Sequence, residues 1–456
     1  MIDAISLKAA IIDLAVSGKL SSDFCATDSA TEIVSSLPPV SSKREKLLSQ
    51  SFDYGKQFSI PEHWRWVPLG EISSYGDTPE KAYYSDVTSD TWILDLEDIK
   101  AGGEIIEKTR AEKKKFIGDK TVFKKGQILY SKLRPYLKKI LVADEDGVST
   151  PELIAFDTYG GILPQYIVYC LLSSYVDRAI DKRSYGVKMP RIDAGFMVNL
   201  PIPLPPISEQ RFIVDRVEKV FSQISIIDTL QSQYQDNLAT LKSKIIDAGI
   251  QGKLTEQLPE DGTAEELYQQ IQQEKFALEK AGKIKKSKPL PPISEEEKPF
   301  DIPENWKWVR IGGIANAIYA GGDKPKDFSK VKDNTHLIPV VGNGVENEGI
   351  LGYTGKPTAK AYTVTVAGRG TIGFSVFRKY EYCPVVRLIV IEQNANIDPR
   401  YIQYVLQALP ESGVGSSIPQ LTVPMLTPKV IPLPPLAEQK RIVAKLEELL
   451  PLCEGK

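Results

Sequence analysis

Histidine is almost missing from this chain: His63 and His336 are the only two among 456 residues. That leaves little for a histidine-based triad or an imidazole metal site, and both are read as structural or surface residues. Cysteine is nearly as scarce. Cys25, Cys170, Cys383 and Cys453 stand far apart with no C-x-x-C pair, which argues against a zinc site and fits a reducing, cytoplasmic setting. No apolar run approaches the ~18 residues that a membrane span needs, so no membrane contact is expected. The opening MIDAISLKAAIIDLAVSGKL is amphipathic and carries Asp3 and Asp13, unlike a signal peptide. Net charge is only −2, so any affinity for nucleic acid has to come from local patches rather than the overall field.

The motifs of phosphate and cofactor chemistry are missing as well. The internal Gly-Lys pairs are followed by Leu, Gln, Pro or Ile, so there is no G-x-x-x-x-G-K-[ST] loop to cradle ATP phosphates. No Asn-Pro-Pro-aromatic motif of amino-group methylation occurs. GRGTIG (Gly368–Gly373) fits G-x-G-x-x-G, but a dinucleotide site needs a helix next, and FSVFRKYEY reads as a strand. The segment is better read as a tight turn between strands that presents Arg369. Asp98 with Glu112 and Lys114 faintly resembles a metal-dependent nuclease set, yet a charged surface explains it better in so lysine-rich a chain. No catalytic residue, cofactor or metal site is expected.

What the chain does have is a long amphipathic stretch in its middle. From Pro205 to Leu254, apolar residues fall at Ile213, Val217, Val220, Ile224 and Ile227, then after a short step to Leu230 at Tyr234, Leu238, Leu241 and Ile245. Alternating steps of four and three predict one long helix packed along a partner, with a shift of register near Leu230. From Glu209 to about Ala248 it would run roughly 60 Å at ~1.5 Å per residue.

Both ends of this helix are echoed elsewhere. LKAAIIDLAVSGKL (Leu7–Leu20) matches LKSKIIDAGIQGKL (Leu241–Leu254) at eight of fourteen positions. SIPEHWRWVPLGEI (Ser59–Ile72) parallels DIPENWKWVRIGGI (Asp301–Ile314), and GDTP (Gly76–Pro79) parallels GDKP (Gly322–Pro325). IPLPPISEQRFIV (Ile202–Val214) matches IPLPPLAEQKRIV (Ile431–Val443) at nine of thirteen positions. The offsets lie between 229 and 246, so one unit of about half the chain is duplicated. Each copy reads as a W-x-W strand, a region of short strands and turns, one helix (Gln165–Ala179, then Pro399–Leu409), a proline-rich hinge, and a long helix. The second long helix stops at Lys456, and residues 1–20 resemble the part it lacks, with a gap of about seven residues.

The expected architecture is α/β (α+β): two similar globular domains joined by a long antiparallel two-helix coiled coil, pseudo-two-fold and circularly closed. The segments are 1–20, completing the second long helix; 21–54, a linker; 55–205, the first globular domain; 206–254, the central helix; 255–299, a polar helical linker; 300–434, the second globular domain; and 435–456, the C-terminal helix.

Charge clusters mark the candidate contacts. Twelve Lys or Arg lie between Lys108 and Lys139, with only Glu112 and Asp119 opposing them in that stretch, an electrostatic footprint for a phosphate backbone. Lys113, Lys114, Lys115, Lys132, Arg134, Tyr136 and Lys138 are the candidates there, the last four on the proline-turned loop SKLRPYLKK. A second basic loop offers Arg183, Tyr185, Lys188 and Arg191. Its counterpart in the other copy, ESGVGSSIPQLT, offers Ser416, Ser417 and Gln420, whose hydroxyl and amide groups suit base edges. Lys324 and Arg369 complete the candidate set.

With these residues in view, the sequence resembles the specificity (S) subunit of a Type I restriction–modification system. The resemblance rests on the duplicated W-x-W openings, the P-L-P-P-[IL]-x-E-Q-[RK] helix starts and the I-I-x-x-x-x-x-G-K-L helix ends, and it covers essentially the whole chain. It implies that each globular domain is a target recognition domain for one half of a bipartite double-stranded DNA sequence, with the helices fixing the distance between halves. It implies two methylation (M) subunits as partners, with two motor-nuclease (R) subunits able to join, and leaves catalysis to them. A stand-alone nuclease or methyltransferase with an unrecognised site is the rival reading.

Overall fold

The computed structural model describes residues 2–55, 57–181, 190–408 and 420–454. It divides into two compact units, Met1–Ser232 and Gln233–Lys456. The first opens with helices α1 (Ala4–Val16), α2 (Ala30–Ser35) and α3 (Ser42–Leu48). Strand β1 (Arg65–Pro68) and the short α4 (Leu69–Ile72) lead into β2 (Lys81–Ala82), β3 (Trp92–Leu94), β4 (Thr109–Arg110) and β5 (Lys120–Phe123). Next come β6 (Ile128–Ser131), β7 (Ile140–Val142), β8 (Gly147–Ser149) and β9 (Leu153–Phe156). Helices α5 (Pro164–Leu172), α6 (Ser174–Asp181) and α7 (Ala194–Val198), strand β10 (Pro201–Leu204) and the 44-residue α8 (Ile207–Ile250) follow. A five-stranded sheet β2-β5-β8-β3-β4, a three-stranded sheet β7-β6-β9 and the ribbon β1-β10 organise the strands.

The second unit repeats this order with a different sheet balance. It runs α9 (Ala264–Lys280), β11 (Lys307–Arg310), α10 (Ile311–Ile314), β12 (Ala315–Ala320), β13 (Ile338–Val341) and β14 (Ile350–Thr354). Then come β15 (Thr363–Val366), β16 (Ser375–Arg378), β17 (Cys383–Pro384), β18 (Ile389–Gln393), α11 (Pro399–Ala408), α12 (Val423–Leu426), β19 (Val430–Leu433) and α13 (Leu436–Leu449). Its sheets are the four-stranded β12-β18-β15-β16, the three-stranded β14-β13-β17 and the ribbon β11-β19.

The repeated motifs form the same frame in both units. A buried glutamate sits in the first turn of each long helix. Glu209 accepts from Trp64 Nε1 at 2.9 Å, Ser21 Oγ at 2.6 Å and His63 Nε2 at 2.7 Å. Glu438 accepts from Trp306 Nε1 at 2.8 Å, Thr255 Oγ1 at 3.1 Å and Gln257 Nε2 at 2.9 Å. The glutamine that follows works alike: Gln210 Oε1 accepts the Leu163 N–H, and Gln439 Oε1 the Asp398 N–H, each just before the next helix. A buried acceptor ringed by donors is satisfied only when all its segments are in place. The first Trp of W-x-W and the E-Q pair are therefore two halves of one contact.

The proline-rich segments differ from the expected hinge. Pro201–Leu204 and Val430–Leu433 are strands, paired antiparallel with β1 and β11, with Pro203 opposite Trp66 and Pro432 opposite Trp308. A two-stranded ribbon leaves alternate N–H groups outside the ladder, where proline costs no hydrogen bond, while Ile202 and Leu204 are buried in the core. The single helix expected at Gln165–Ala179 is two helices, α5 and α6, parted at Ser173.

The glycine of each G-K-L is needed for the close approach. Gly18 (φ +74°) and Gly252 (φ +71°) end α1 and α8, and a Cβ on either would stand 2.5 Å from the Cγ of Pro61 or Pro303. Gly252→Ala is expected to destabilise the second unit by about 2–4 kcal/mol, from left-handed backbone strain plus overpacking. Thermal denaturation reads this directly.

The segments expected as linkers are folded onto their units. Ala30 and Ile33 of α2 and Ala264, Leu267 and Ile271 of α9 are buried. Arg44 of α3 donates to the carbonyls of Gly70 and Ser73 at the end of α4, and Lys275 of α9 to those of Gly312 and Gly313 in α10. Cations suit helix C-termini; the surrounding polar sequence hides these few anchors.

The seam of α8 is covered only toward its ends. In the first unit α1 runs antiparallel to it, with Ile2 N–H on Gln231 Oε1 and Lys8 Nζ on Ser225 Oγ, and Ile213, Val217 and Ile224 are buried. In the second unit α13 packs on its other end, where Gly249 lies against Ile442 and Leu446. Ile227, Leu230, Tyr234 and Leu241, expected in a packed seam, are exposed, Leu230 at 57% and Tyr234 at 56%. Heptad spacing predicts which residues face a partner, not how far that partner reaches.

Candidate nucleic-acid interface

Equivalent strands place equivalent loops. In the first unit the chain leaves β6 at Ser131, passes through Lys132–Lys139 and returns in β7; in the second it leaves β15, passes through Ala367–Phe374 and returns in β16. The segment before the next short helix stitches each loop down. Ile192 N–H donates to the Lys132 carbonyl at 3.2 Å, and Leu421 N–H to the Gly368 carbonyl at 2.9 Å. A third segment, the turn before β9 or β18, closes on itself through Leu153 N–H to Thr150 O (3.0 Å) or Leu388 N–H to Val385 O (3.1 Å). Loop, stitch and turn thus meet at one junction in each unit.

At the first junction the backbone is tightly specified. Arg134 and Lys138 both take left-handed conformations, at φ 50° and 51°, around the single turn Pro135–Leu137. Such non-glycine conformations persist only where neighbours hold them: Arg134 N–H is fixed by the Pro190 carbonyl, and Lys138 Nζ by the Leu172 carbonyl and the Asp177 carboxylate at 2.5 Å. Burial raises the Asp177 pKa, against the lowering effect of Lys138. Arg134 and Tyr136 are left exposed on this rigid loop. Lys132 and Arg191 line a cleft of ≈ 720 Å³ beside it, with Gln127, Asp157 and Asp193.

The charge picture changes in three dimensions. Acidic residues from outside the basic stretch reach in. Lys108 pairs with Asp144 and Glu145, Arg110 with Glu145, Lys114 with Asp95 and Glu97, Lys120 with Asp95, Lys124 with Asp146, Lys132 with Glu152 and Lys138 with Asp177. The hydrogen bonds from Lys120 and Lys114 hold the Asp95 carboxyl below its usual range although burial opposes them, and that from Lys108 does the same for Asp144. Among the described residues the cations left without a carboxylate are fewer: Lys113, Lys115, Lys125 and Arg134, with Tyr136 near the last, and Lys139, whose Nζ bonds the Leu96 carbonyl. Arg191 is held by Glu152 at 2.9 Å. Arg183, Tyr185, Lys188, Ser416 and Ser417 lie outside the described residues.

A scan against protein families matches residues 61–234 and 303–453 to the Type I restriction modification DNA specificity domain. The chain belongs to that family. It is a Type I specificity subunit, and its work is the recognition of DNA sequence. Relatives include the Type I restriction enzyme EcoAI specificity subunit of Escherichia coli, 26% identical over 531 residues, spanning 98% of this chain and 89% of the relative. The EcoEI specificity subunit of the same organism is 29% identical over 377 residues, 69% of this chain and 62% of the relative. A solved chain described in work on complex assembly and conformational transition of the type I R-M system matches in fold, with TM-score 0.63 at 21% identity over 87% of this chain and 92% of that one. Among the described residues no helix is long and apolar enough to cross a membrane.

In the specificity subunit's second unit, Arg369 is exposed on the loop between β15 and β16, a hairpin as expected though wider than a tight turn. Gln420 is exposed one residue before the stitch, and Lys324 lies exposed with its Nζ 3.4 Å from the Phe328 ring centroid. Sequence reasoning passed over Asn343 and Arg387 at this junction. Asn343 Oδ1 accepts the Gly368 N–H at 2.9 Å and its Nδ2 donates to the Val386 carbonyl at 2.8 Å, tying loop to turn. An isolated Asn or Arg between short apolar runs carries no periodicity to mark it; only alignment of the two copies on the β9 and β18 strands would have drawn attention to position 387.

Proposed function

We propose that the two units are target recognition domains, each reading one half of an asymmetric bipartite DNA sequence. One observation carries this reading: the same loop–stitch–turn junction is built twice on the same frame and dressed with different side chains, Lys132, Arg134 and Tyr136 against Gly368, Arg369 and Gly370. A duplicated frame suits two half-sites, and unlike loops suit unlike halves; identical loops would read a palindrome. In this reading α8, roughly 66 Å long at ~1.5 Å per residue, and a partner split between α1 and α13 form an antiparallel coiled coil that closes the chain circularly and sets the spacer. The uncovered seam of α8 and residues 1–20 suit the docking of two methylation subunits, which supply catalysis, with two motor-nuclease subunits able to join them, in the cytoplasm.

The test uses Arg134→Ala in the assembled complex. Binding to specific DNA should fall by about 5- to 150-fold, the worth of one good base contact, with the lost discrimination confined to one half-site. Equal loss on specific and random DNA would make Arg134 a backbone contact instead. The rival, a stand-alone nuclease or methyltransferase, requires the purified chain alone to act on DNA with metal or S-adenosylmethionine.

A further inference from the structure

The turn at the junction carries opposite charge in the two units. Its third residue is Glu152 before β9 and Arg387 before β18, each one residue ahead of the leucine whose N–H closes the turn. We propose that this position sets the base read at the junction: Arg387 reads a guanine edge, and Glu152 a base amino group, that of cytosine or adenine. This rests on the recognition-domain reading above.

The backbone at Arg387 is held in an unusual conformation. Val386 and Arg387 both sit in the left-handed region, at φ 54° and 60°, where hairpin turns normally carry Asn-Gly. A β-branched residue there is an outlier. The conformation is imposed from outside: Val386 N–H bonds the Gly322 carbonyl, Arg387 N–H the Gly321 carbonyl, and the Val386 carbonyl accepts from Asn343. With its backbone committed, Arg387 projects an exposed guanidinium that has no carboxylate within 4.0 Å among the described residues. An unpaired five-donor fork suits the O6 and N7 acceptors of guanine in the major groove. The equivalent of Lys132 here is Gly368, whose Cβ would stand 2.6 Å from the Leu421 carbonyl and 3.5 Å from that of Arg387. Gly368 thus lets loop, stitch and turn pack directly on one another, while Arg387 on the turn and Gln420 just before the stitch are both exposed.

The first junction has the inverse chemistry. Glu152 is an acceptor, held between Arg191 at 2.9 Å and Lys132 at 3.9 Å, and about a quarter of its side chain is exposed. Arg191 reaches both carboxylate oxygens, at 2.9 and 3.4 Å; of about four lone-pair sites a carboxylate keeps one free after these and Lys132, which suits the amino group of cytosine N4 or adenine N6 and rejects the acceptors of guanine and thymine.

The experiment places Arg387→Ala, Arg387→Gly and Glu152→Ala in the full chain, assembled with its methylation subunits, and reads the modified motif by single-molecule methylation sequencing. Arg387→Gly relieves the left-handed backbone, so its melting temperature should not fall below the wild type's, which keeps a loss of readout separate from a loss of folding. Both Arg387 variants should relax one guanine in one half-site, with discrimination falling by about 5- to 150-fold. Glu152→Ala should relax one cytosine or adenine in the other half-site only. An unchanged motif, a uniform loss across both halves, or relaxation at a base of the wrong class would overturn the proposal. If the wild-type complex itself writes no bipartite motif, the recognition-domain reading fails first; if it does and the variants match it, only this assignment fails.

Discussion

Glu438→Ala is expected to lower the melting temperature of the second unit by roughly 10 °C. The carboxylate is fully buried and gathers three donors from two segments: the Trp306 indole, and the Thr255 hydroxyl and Gln257 amide after α8. Truncation leaves these donors facing a void. Loss of one partner from a buried charged network costs about 3–5 kcal/mol, and a unit of this size shifts by about 2–4 °C for each kcal/mol. Glu438→Gln keeps the volume but turns one acceptor into a donor aimed at other donors, so it should lose less but still measurably. Glu209→Ala should act likewise on the first unit through Trp64 and Ser21. Calorimetry distinguishes the cases, and a shift under about 2 °C for either alanine variant would show that the buried glutamate does not hold the frame.

The second large effect concerns length. Deleting Thr229–Ser232 from α8 removes about 6 Å of helix at ~1.5 Å per residue and little more than one turn, so the two halves of the helix keep nearly the same face. With ~34–36 Å to each turn of DNA, the spacer between half-sites should shorten by about one or two base pairs while both half-sites keep their sequences. The deleted stretch lies where α8 is largely exposed, and its one contact with α1 described above is that of Gln231 with the Ile2 backbone. Methylome sequencing of the assembled variant reads the spacer directly, and an unchanged spacer would remove the ruler role from α8.

The frame was far more legible in the sequence than the reading surface. Duplication marks residues that meet one another twice: the E-Q pair, the first Trp of W-x-W and the terminal glycine all recur because each occupies one fixed contact, such as Gly252 against Pro303. Helix periodicity likewise gave α8, and the strand-like run after GRGTIG gave the hairpin around Arg369. Three things escaped. Prolines in Pro201–Leu204 suggested a hinge because proline interrupts most ladders, but not the free side of a two-stranded ribbon. The linkers escaped because one buried cation, Arg44 or Lys275, looks like any other in a polar stretch. The third was charge. Counting lysines along Lys108–Lys139 ignores carboxylates that the fold brings from Asp95, Asp144–Asp146 and Glu152, and these pair with most of the cations counted. Exposed pairs of this kind are worth little to stability, yet they decide which cations are left for a phosphate or a base.

Single-molecule methylation sequencing of DNA modified by the chain assembled with its methylation subunits tests the central claim most directly. Two different short sequences, separated by a fixed run of unspecified base pairs, are the predicted result. A palindromic motif, one uninterrupted motif or modification without sequence preference would contradict it.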